Sequence, residues 1–279
     1  MEWYREAKKT LCRRAIKGFI FSLLALACPV LASEDAVAEF TEKTAIEVSQ
    51  GVLGRTVGNH ELIRSDGSRF KLNEYRGKPL VFSLVYTSCY HICPTTTRHL
   101  ASVVEKARKV LGEDSFRVIT LGFDHLNDTP DTMRQFAATQ GIDDPYWDFA
   151  SATEETVLAL SEQLGFIFFP SPNGFDHLIQ ATVVDGKGMV FTQVYDIRFD
   201  TPLLVEPLKK LVFSSEDSAP LISRVTNRIR LFCTVYDPIN DQYRIDYSIF
   251  IGMLIGLTTM GAVLYMVIRQ WRSQNGSVS

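Results

Sequence analysis

The chain has 279 residues, 46% of them hydrophobic and 22% charged, with a formal net charge of −3. That apolar content excludes a wholly disordered chain, and five cysteines in this length exclude a disulfide-dense scaffold. The charge is uneven. Residues 1–32 carry a net +4, residues 247–279 carry two arginines and no acid, and the body between them carries −9, which excludes nucleic acid as a partner because phosphate contacts need a basic face.

In chain order, Arg5, Lys8, Lys9, Arg13, Arg14 and Lys17 precede an apolar run, Gly18 to Ala32, that ends in small residues. This is the layout of a secretory signal over 1–32, with Val30-Leu31-Ala32 as the cleavage site. Pro29 interrupts the run and it is short for a membrane span. Cys28 and the Arg13-Arg14 pair are fainter lipoprotein and twin-arginine signals. Residues 33–54 are polar and mixed and read as a linker. The run Leu80 to Tyr86 reads as a strand buried on both faces, of the kind covered by helices. Thr87 to Cys93 follows as a loop, and Pro94 suits the first turn of a helix. Leu100, Val103, Val104, Ala107 and Leu111 then recur at helical spacing up to Gly112.

Phe116 to Phe123 predicts a second buried strand. Asp131 to Gln140 and Glu154 to Leu164 predict helices stopped by Gly141 and Gly165. Ile179 to Val184 and Met189 to Tyr195 flank Asp185-Gly-Lys-Gly188 as a hairpin, and Pro202 to Phe213 closes the domain as a helix. The fold class is therefore α/β, with a mixed sheet flanked by helices over 55–213. Beyond it, 214–246 is a juxtamembrane segment in which 220–232 is amphipathic with a basic side. Tyr247 to Ile268 is 22 residues without charge, enough at ~1.5 Å per residue to cross a ~30 Å hydrocarbon core. Arg269 and Arg272 place the tail, 269–279, in the cytoplasm and the body outside. The expected location is the inner membrane with the functional domain in the periplasm, an oxidising compartment where thiols are paired, metal-bound or kept reduced.

The sharpest chemical constellation is Cys89-Tyr-His-Ile-Cys93-Pro94, where a buried strand passes into a helix. Cysteines four apart on one helical turn face the same way, so both sulfurs reach one ion or each other. Helix N–H groups pointing back at them favour thiolate over thiol. Two soft thiolates prefer copper(I) or zinc. The third ligand is open among His60, His91, His99, His125 and His177. His91 should project away from the cysteines, and His177 stands where a loop enters a strand at the top of a sheet. Spacing alone makes each of the five a surface or hydrogen-bonded residue before it makes it a ligand.

Three segments together resemble the Sco/SenC family of thioredoxin-like copper proteins. They are Cys89-x-x-x-Cys93-Pro94 after an apolar strand, Asp124-His-Leu-Asn-Asp128-Thr129-Pro130, and Asp176-His177 before a strand followed by Asp185-Gly-Lys-Gly188. They come in the family's order and the likeness covers about 55–213. The resemblance implies a thioredoxin-like fold, copper held by Cys89, Cys93 and His177, and delivery of that copper to the binuclear site of cytochrome c oxidase. The implied partners are the oxidase's copper-site subunit, an upstream copper donor or thiol reductant, and the membrane through the C-terminal helix. Asp124 and Asp128 enter as residues near the site, with a helix cap and a turn as their other role. The chain departs from the family pattern at Tyr90-His91, where an acidic residue is common, and in carrying its span at the C-terminal rather than the N-terminal end.

The chemistry is consistent with that implication. Two thiolates and one imidazole make a three-coordinate site, suited to copper(I) and open enough to release it, whereas a structural zinc site wants a fourth protein ligand. A second reading is an enzyme, a thiol–disulfide oxidoreductase that keeps the oxidase's copper-site cysteines reduced with Cys89 and Cys93 as the redox pair. A peroxidase is disfavoured by the near partner of Cys89.

Overall fold

The structure is a computed structural model and describes residues 40–215, 234–245 and 248–275. The signal segment 1–32, the amphipathic stretch 220–232, and Cys12, Cys28 and Cys233 lie outside the described residues.

A seven-stranded sheet organises the body. Its strands are β1 (Glu61–Arg64), β2 (Arg69–Lys71), β3 (Leu80–Val85), β4 (Arg117–Gly122), β5 (Trp147–Ser151), β8 (Gln180–Val184) and β9 (Val190–Tyr195), in the order β2-β1-β5-β4-β3-β8-β9. The central pairs β3–β4 and β4–β5 are parallel, and β1–β5, β1–β2, β3–β8 and β8–β9 are antiparallel. The mixed sheet expected from the sequence is therefore present. All six residues of β3 are buried, Val81 and Phe82 completely. Each such side chain contributes roughly 1.5–3 kcal/mol by leaving water.

Helices cover the sheet: α1 (Glu42–Gly51), α2 (Ile92–Leu111), α3 (Pro130–Gln140), α4 (Glu154–Leu164) and α5 (Thr201–Ser215). Thr41, Thr129 and Thr153 cap α1, α3 and α4 by accepting the N–H of Thr44, Thr132 and Thr156. The helices after β4 and β5 end at Gly141 and Gly165, as their sequences predict. The crossover order, parallel strands with a helix after each, brings the C-terminal ends of β3 and β4 side by side. The loops that leave those ends carry the Cys89 and Asp128 motifs.

Four features differ from the sequence reading. Part of the expected linker 33–54 is α1, whose only buried residues are the small Ala45 and Ser49; so short a buried stripe leaves no apolar periodicity to read. A buried network holds it, with Gln193 Nε2 donating to the Ser49 carbonyl and Tyr195 Oη donating to Ser49 Oγ. Strands β1, β2 and β5 have only three to five residues each and no legible alternation. The loop expected to lead into His177 is instead a separate two-stranded ribbon, β6 (Phe168–Ser171) against β7 (Gly174–His177). Its register pairs Phe168 with His177.

The fourth feature is a hairpin, β10 (Thr234–Asp237) and β11 (Gln242–Ile245), inside the segment expected to be juxtamembrane. It ends two residues before α6 (Ser248–Asn275), whose Phe250–Trp271 stretch is long and apolar enough to cross a membrane and is wholly unburied. The hairpin is fastened to the body. Asp241 accepts hydrogen bonds from Thr201 Oγ1 at 2.7 Å and Tyr236 Oη at 3.0 Å and pairs with Lys106. Tyr243 Oη donates to Glu206 Oε1 at 3.2 Å. One carboxylate thus joins α2, α5 and the hairpin. Asp241→Ala should free the hairpin, and limited proteolysis should then cut within 234–245 at least about fivefold faster with the body intact, the scale expected from losing two or three hydrogen bonds of roughly 1 kcal/mol each in a local opening. Cleavage at the wild-type rate would show that Asp241 does not hold it.

Candidate metal centre

Chain geometry places the first thiol just outside a helix and the second just inside it. β3 ends at Val85, Tyr86 to His91 turns, and α2 begins at Ile92. Cys93 is therefore in the first helical turn and buried, while Cys89 is half-buried in the turn before it. The helix's unpaired N–H groups point at Cys89: the Cys93 amide donates to Cys89 Sγ at 3.4 Å. His91 has no side-chain capping bond and is exposed, as its position between the cysteines predicts.

The two sulfurs are inequivalent. The Cys93 side chain hydrogen-bonds to Cys89, and this, with the Cys93 and His91 backbone N–H groups and the Tyr86 hydroxyl, lowers the Cys89 pKa to about 4 against the opposing effect of burial. Cys93 is pushed the other way, by that same bond to Cys89 and then by burial. At neutral pH Cys89 carries the charge and Cys93 the proton. Since the thiolate is the nucleophile, iodoacetamide should label Cys89 before Cys93, at a rate that stays level from pH 8 to about 5 and falls only on approach to pH 4. A rate that halves near the ordinary thiol range would show that the helix end does not hold the charge.

The Asp124–Pro130 segment braces the thiol loop rather than facing a ligand. Asp128 is almost fully buried. Its Oδ1 accepts the Thr87 N–H at 2.8 Å and the Thr87 hydroxyl at 2.7 Å, and its Oδ2 accepts the Asp124 N–H at 2.9 Å. Thr87 stands two residues before Cys89, so this carboxylate ties the two loops together. The fit is close: a Cβ at Gly122 would collide with the Asp128 side chain. Asp124 Oδ2 accepts from Asn127 Nδ2 at 2.7 Å, the turn role expected of it, and Thr129 takes the cap of α3.

His177 ends β7. Its ring stands edge-on to Tyr86 at 6.0 Å and packs against Phe123 and Phe166, both at 5.4 Å. Burial lowers its pKa, so the ring is neutral. Nδ1 lies 3.0 Å from the Leu178 carbonyl. An oxygen that only accepts assigns the proton to Nδ1 and leaves the Nε2 lone pair unengaged. Among the described residues no three His, Cys, Asp or Glu side chains converge closely enough to hold a metal ion as they stand. Cys89 and Cys93 are brought together, and His177 is brought to the same aromatic wall but not into contact with them. The other histidines are engaged elsewhere: His60 with Gln163 at 3.0 Å, His99 with the Phe199 carbonyl at 2.8 Å, and His125 with Glu154 at 3.7 Å.

Tyr86 was not singled out from the sequence. It closes an apolar strand and looks like the strand's last core residue, and burial does push its hydroxyl up to about 12. Only the structure shows that its ring stands edge-on to Phe175 and His177 of β7.

Comparison with known proteins agrees with this architecture. The sequence model of the SCO1/SenC family matches residues 50–212. A SCO1 protein homolog of Bacillus subtilis (strain 168) is 25% identical over 115 residues, which cover 41% of this chain and 58% of that relative's length. A solved structure from Aquifex aeolicus VF5 superposes with a TM-score of 0.54 at 28% identity, covering 61% of this chain and 99% of that one. BsSco, described as a member of the Sco family of cytochrome c oxidase assembly proteins, shares the fold with a TM-score of 0.52 at 19% identity, over 57% of this chain and 95% of its own. The mixed sheet is accordingly the thioredoxin-like sheet of these neighbours, followed by one long apolar helix. With the family's motifs at the mouth of the sheet and its sequence pattern running through the whole body, the chain belongs to the SCO1/SenC family.

Proposed function

We propose that this protein is a membrane-tethered copper carrier that binds copper(I) as cargo through Cys89, Cys93 and His177 and passes it to the binuclear copper site of cytochrome c oxidase during assembly. The observation that carries this reading is the pairing of a stabilised thiolate with a neutral imidazole at one tyrosine: the Tyr86 carbonyl accepts the Cys89 N–H at 3.1 Å, and its ring stands edge-on to His177 at 6.0 Å. Thiolate and imidazole are soft and intermediate ligands that suit copper(I). BsSco's membership of an oxidase assembly family supports the choice of recipient.

The residues have separable tasks. Cys89 supplies the charged sulfur that captures the ion first. Cys93 gives up its proton on joining, so loading releases a proton and weakens with acid. His177 arrives as the third, neutral ligand, which requires the thiol turn and the β6–β7 ribbon to approach each other. A site that must close to bind and open to release is suited to transfer rather than storage. The long apolar helix α6, with Arg269 and Arg272 toward its C-terminal end, supports a single span with the body outside the cytoplasm.

A second reading has its own observation. A half-exposed thiolate beside a buried, protonated thiol is the arrangement of a dithiol reductant, with Cys89 attacking and Cys93 resolving. His177 separates the two, because a copper carrier loses a ligand without it and a reductant keeps both sulfurs. Cells carrying His177→Ala should show an oxidase assembly defect at limiting copper that added copper relieves, since mass action offsets weakened binding. Normal oxidase in that variant, together with a full defect in Cys89→Ser, would favour the reductase.

A further inference from the structure

The hairpin that joins the body to the span also decides which end of the body faces the membrane. Its contacts fall in order along α2 and α5, which run side by side in the same sense. Nearest the thiol end, His99 meets the Phe199 carbonyl at 2.8 Å. Farther along, Asp241 of the hairpin turn accepts from Thr201 Oγ1 at 2.7 Å and pairs with Lys106, in the last third of α2. Two residues on, Tyr243 Oη donates to Glu206 Oε1 at 3.2 Å, and Tyr243 lines a cleft with Lys109 and Val110. β11 therefore runs toward the C-terminal end of α2, the end opposite Cys93. The helix from Cys93 to Lys106, at ~1.5 Å per residue, puts the thiol turn about 20 Å from the Asp241 clasp. The strand from Asp241 to Ile245, at ~3.3 Å per residue, carries the chain about 13 Å farther away. Only Asp246 and Tyr247 then separate β11 from α6, and two residues reach about 7 Å, too little to lead the chain back. Charge points the same way. The loops at the thiol end, 86–97, 123–133 and 152–157, hold Asp124, Asp128, Asp131, Glu154 and Glu155 and no Lys or Arg, so an anionic lipid surface repels that end.

We propose that the 234–245 hairpin is a strut that holds the domain upright on its span, with the C-terminal end of α2 toward the bilayer and the thiol mouth roughly 30 Å farther out. The acceptor of the copper is then a protein domain that stands clear of the bilayer, met at that height and not at the lipid surface. This deepens the carrier function and rests on the reading of α6 as a membrane span.

The test uses the full chain in nanodiscs of anionic lipid whose headgroups carry a nitroxide quencher. A fluorophore is placed, on an unnatural residue, at position 126 beside the mouth or at position 113 beyond the end of α2; Leu126 and Glu113 are both exposed. Quenching at 113 should exceed that at 126 at least about threefold, because ~30 Å of helix and strand separates the mouth from the connector. Equal quenching, or more at 126, would overturn the orientation. Two variants test the strut. Asp241→Ala opens the clasp. A ten-residue Gly-Ser insertion between Asp246 and Tyr247 leaves every contact of the body in place and gives it a flexible reach of roughly 17 Å. Both should shrink the contrast between the two positions. An undiminished contrast in both would show that the hairpin does not hold the domain. Copper(I) titration of the unaltered chain is read separately. A chain that keeps the contrast and binds no copper would lose the carrier function and retain the strut.

Discussion

Copper(I) binding should be lost almost entirely in Cys89→Ser. Serine is close in size, so the turn and the N–H of Cys93 that points at position 89 can persist. The charge does not persist, because a hydroxyl stays protonated where this thiol ionises at about 4. The variant then offers the ion a buried thiol at Cys93, whose proton is held more tightly than usual, and a neutral imidazole. Spread over four ligands, the ~10–16 kcal/mol of a structural zinc site puts one ligand at on the order of a hundredfold to a thousandfold in affinity. The loss in Cys89→Ser should sit at the upper end. His177→Ala should cost about tenfold to a hundredfold, since it removes a neutral ligand and leaves both sulfurs, and His91→Ala should be near neutral because His91 faces solvent. Competition against a chromophoric copper(I) chelator reads all three. Wild-type affinity in Cys89→Ser would remove the thiolate from the site, and wild-type affinity in His177→Ala would remove the histidine.

Asp128→Ala should produce the largest loss of stability among the site variants. Three hydrogen bonds from Thr87 and Asp124 converge on this carboxylate, and truncation leaves two buried N–H groups without an acceptor. At about 1–3 kcal/mol for each stranded donor, the cost should be on the order of 3 kcal/mol, read as a lower urea midpoint. Asp128→Asn should fall between. Its Oδ1 still serves Thr87, but an NH2 group then faces the Asp124 N–H, donor against donor. An Asn variant as unstable as Ala would show that charge, not hydrogen bonding, holds the loops.

The pH dependence has a definite sign. Burial raises the Asp128 pKa above the usual carboxylate value, in spite of the N–H groups that favour its charge. The folded state therefore binds the proton more tightly than the unfolded chain. In the window between the two values Asp128 contributes increasing stability as the pH falls, a contribution that Asp128→Asn cannot make. The stability difference between wild type and Asn should accordingly widen on acidification through that window. A difference that narrows instead would contradict the raised value.

The sequence by itself determined the elements whose signals are local. Leu80 to Val85 is a doubly buried strand because every residue is apolar, and Glu154 to Leu164 is a helix because a threonine cap and a terminal glycine bound an apolar stripe. The dithiol was legible for the same reason, since four residues and Pro94 put both sulfurs at one helix end. The uncharged C-terminal run likewise declares its length and polarity without any partner. Tertiary structure alone decided what depends on residues distant in sequence. The placement of β5 beside β1, the fastening of the hairpin by Asp241 and the folding of Glu42–Gly51 onto β9 rest on short elements whose partners lie far along the chain. The same holds at the site. Composition and spacing could not reveal that Cys89 and Cys93 hold their protons so differently, because that follows from the hydrogen bond between the two sulfurs, from which one the helix N–H groups face and from which one is buried. Nor could they reveal that Tyr86, whose apolar ring satisfies the strand pattern, stands edge-on to Phe175 and His177, some 90 residues on in β7.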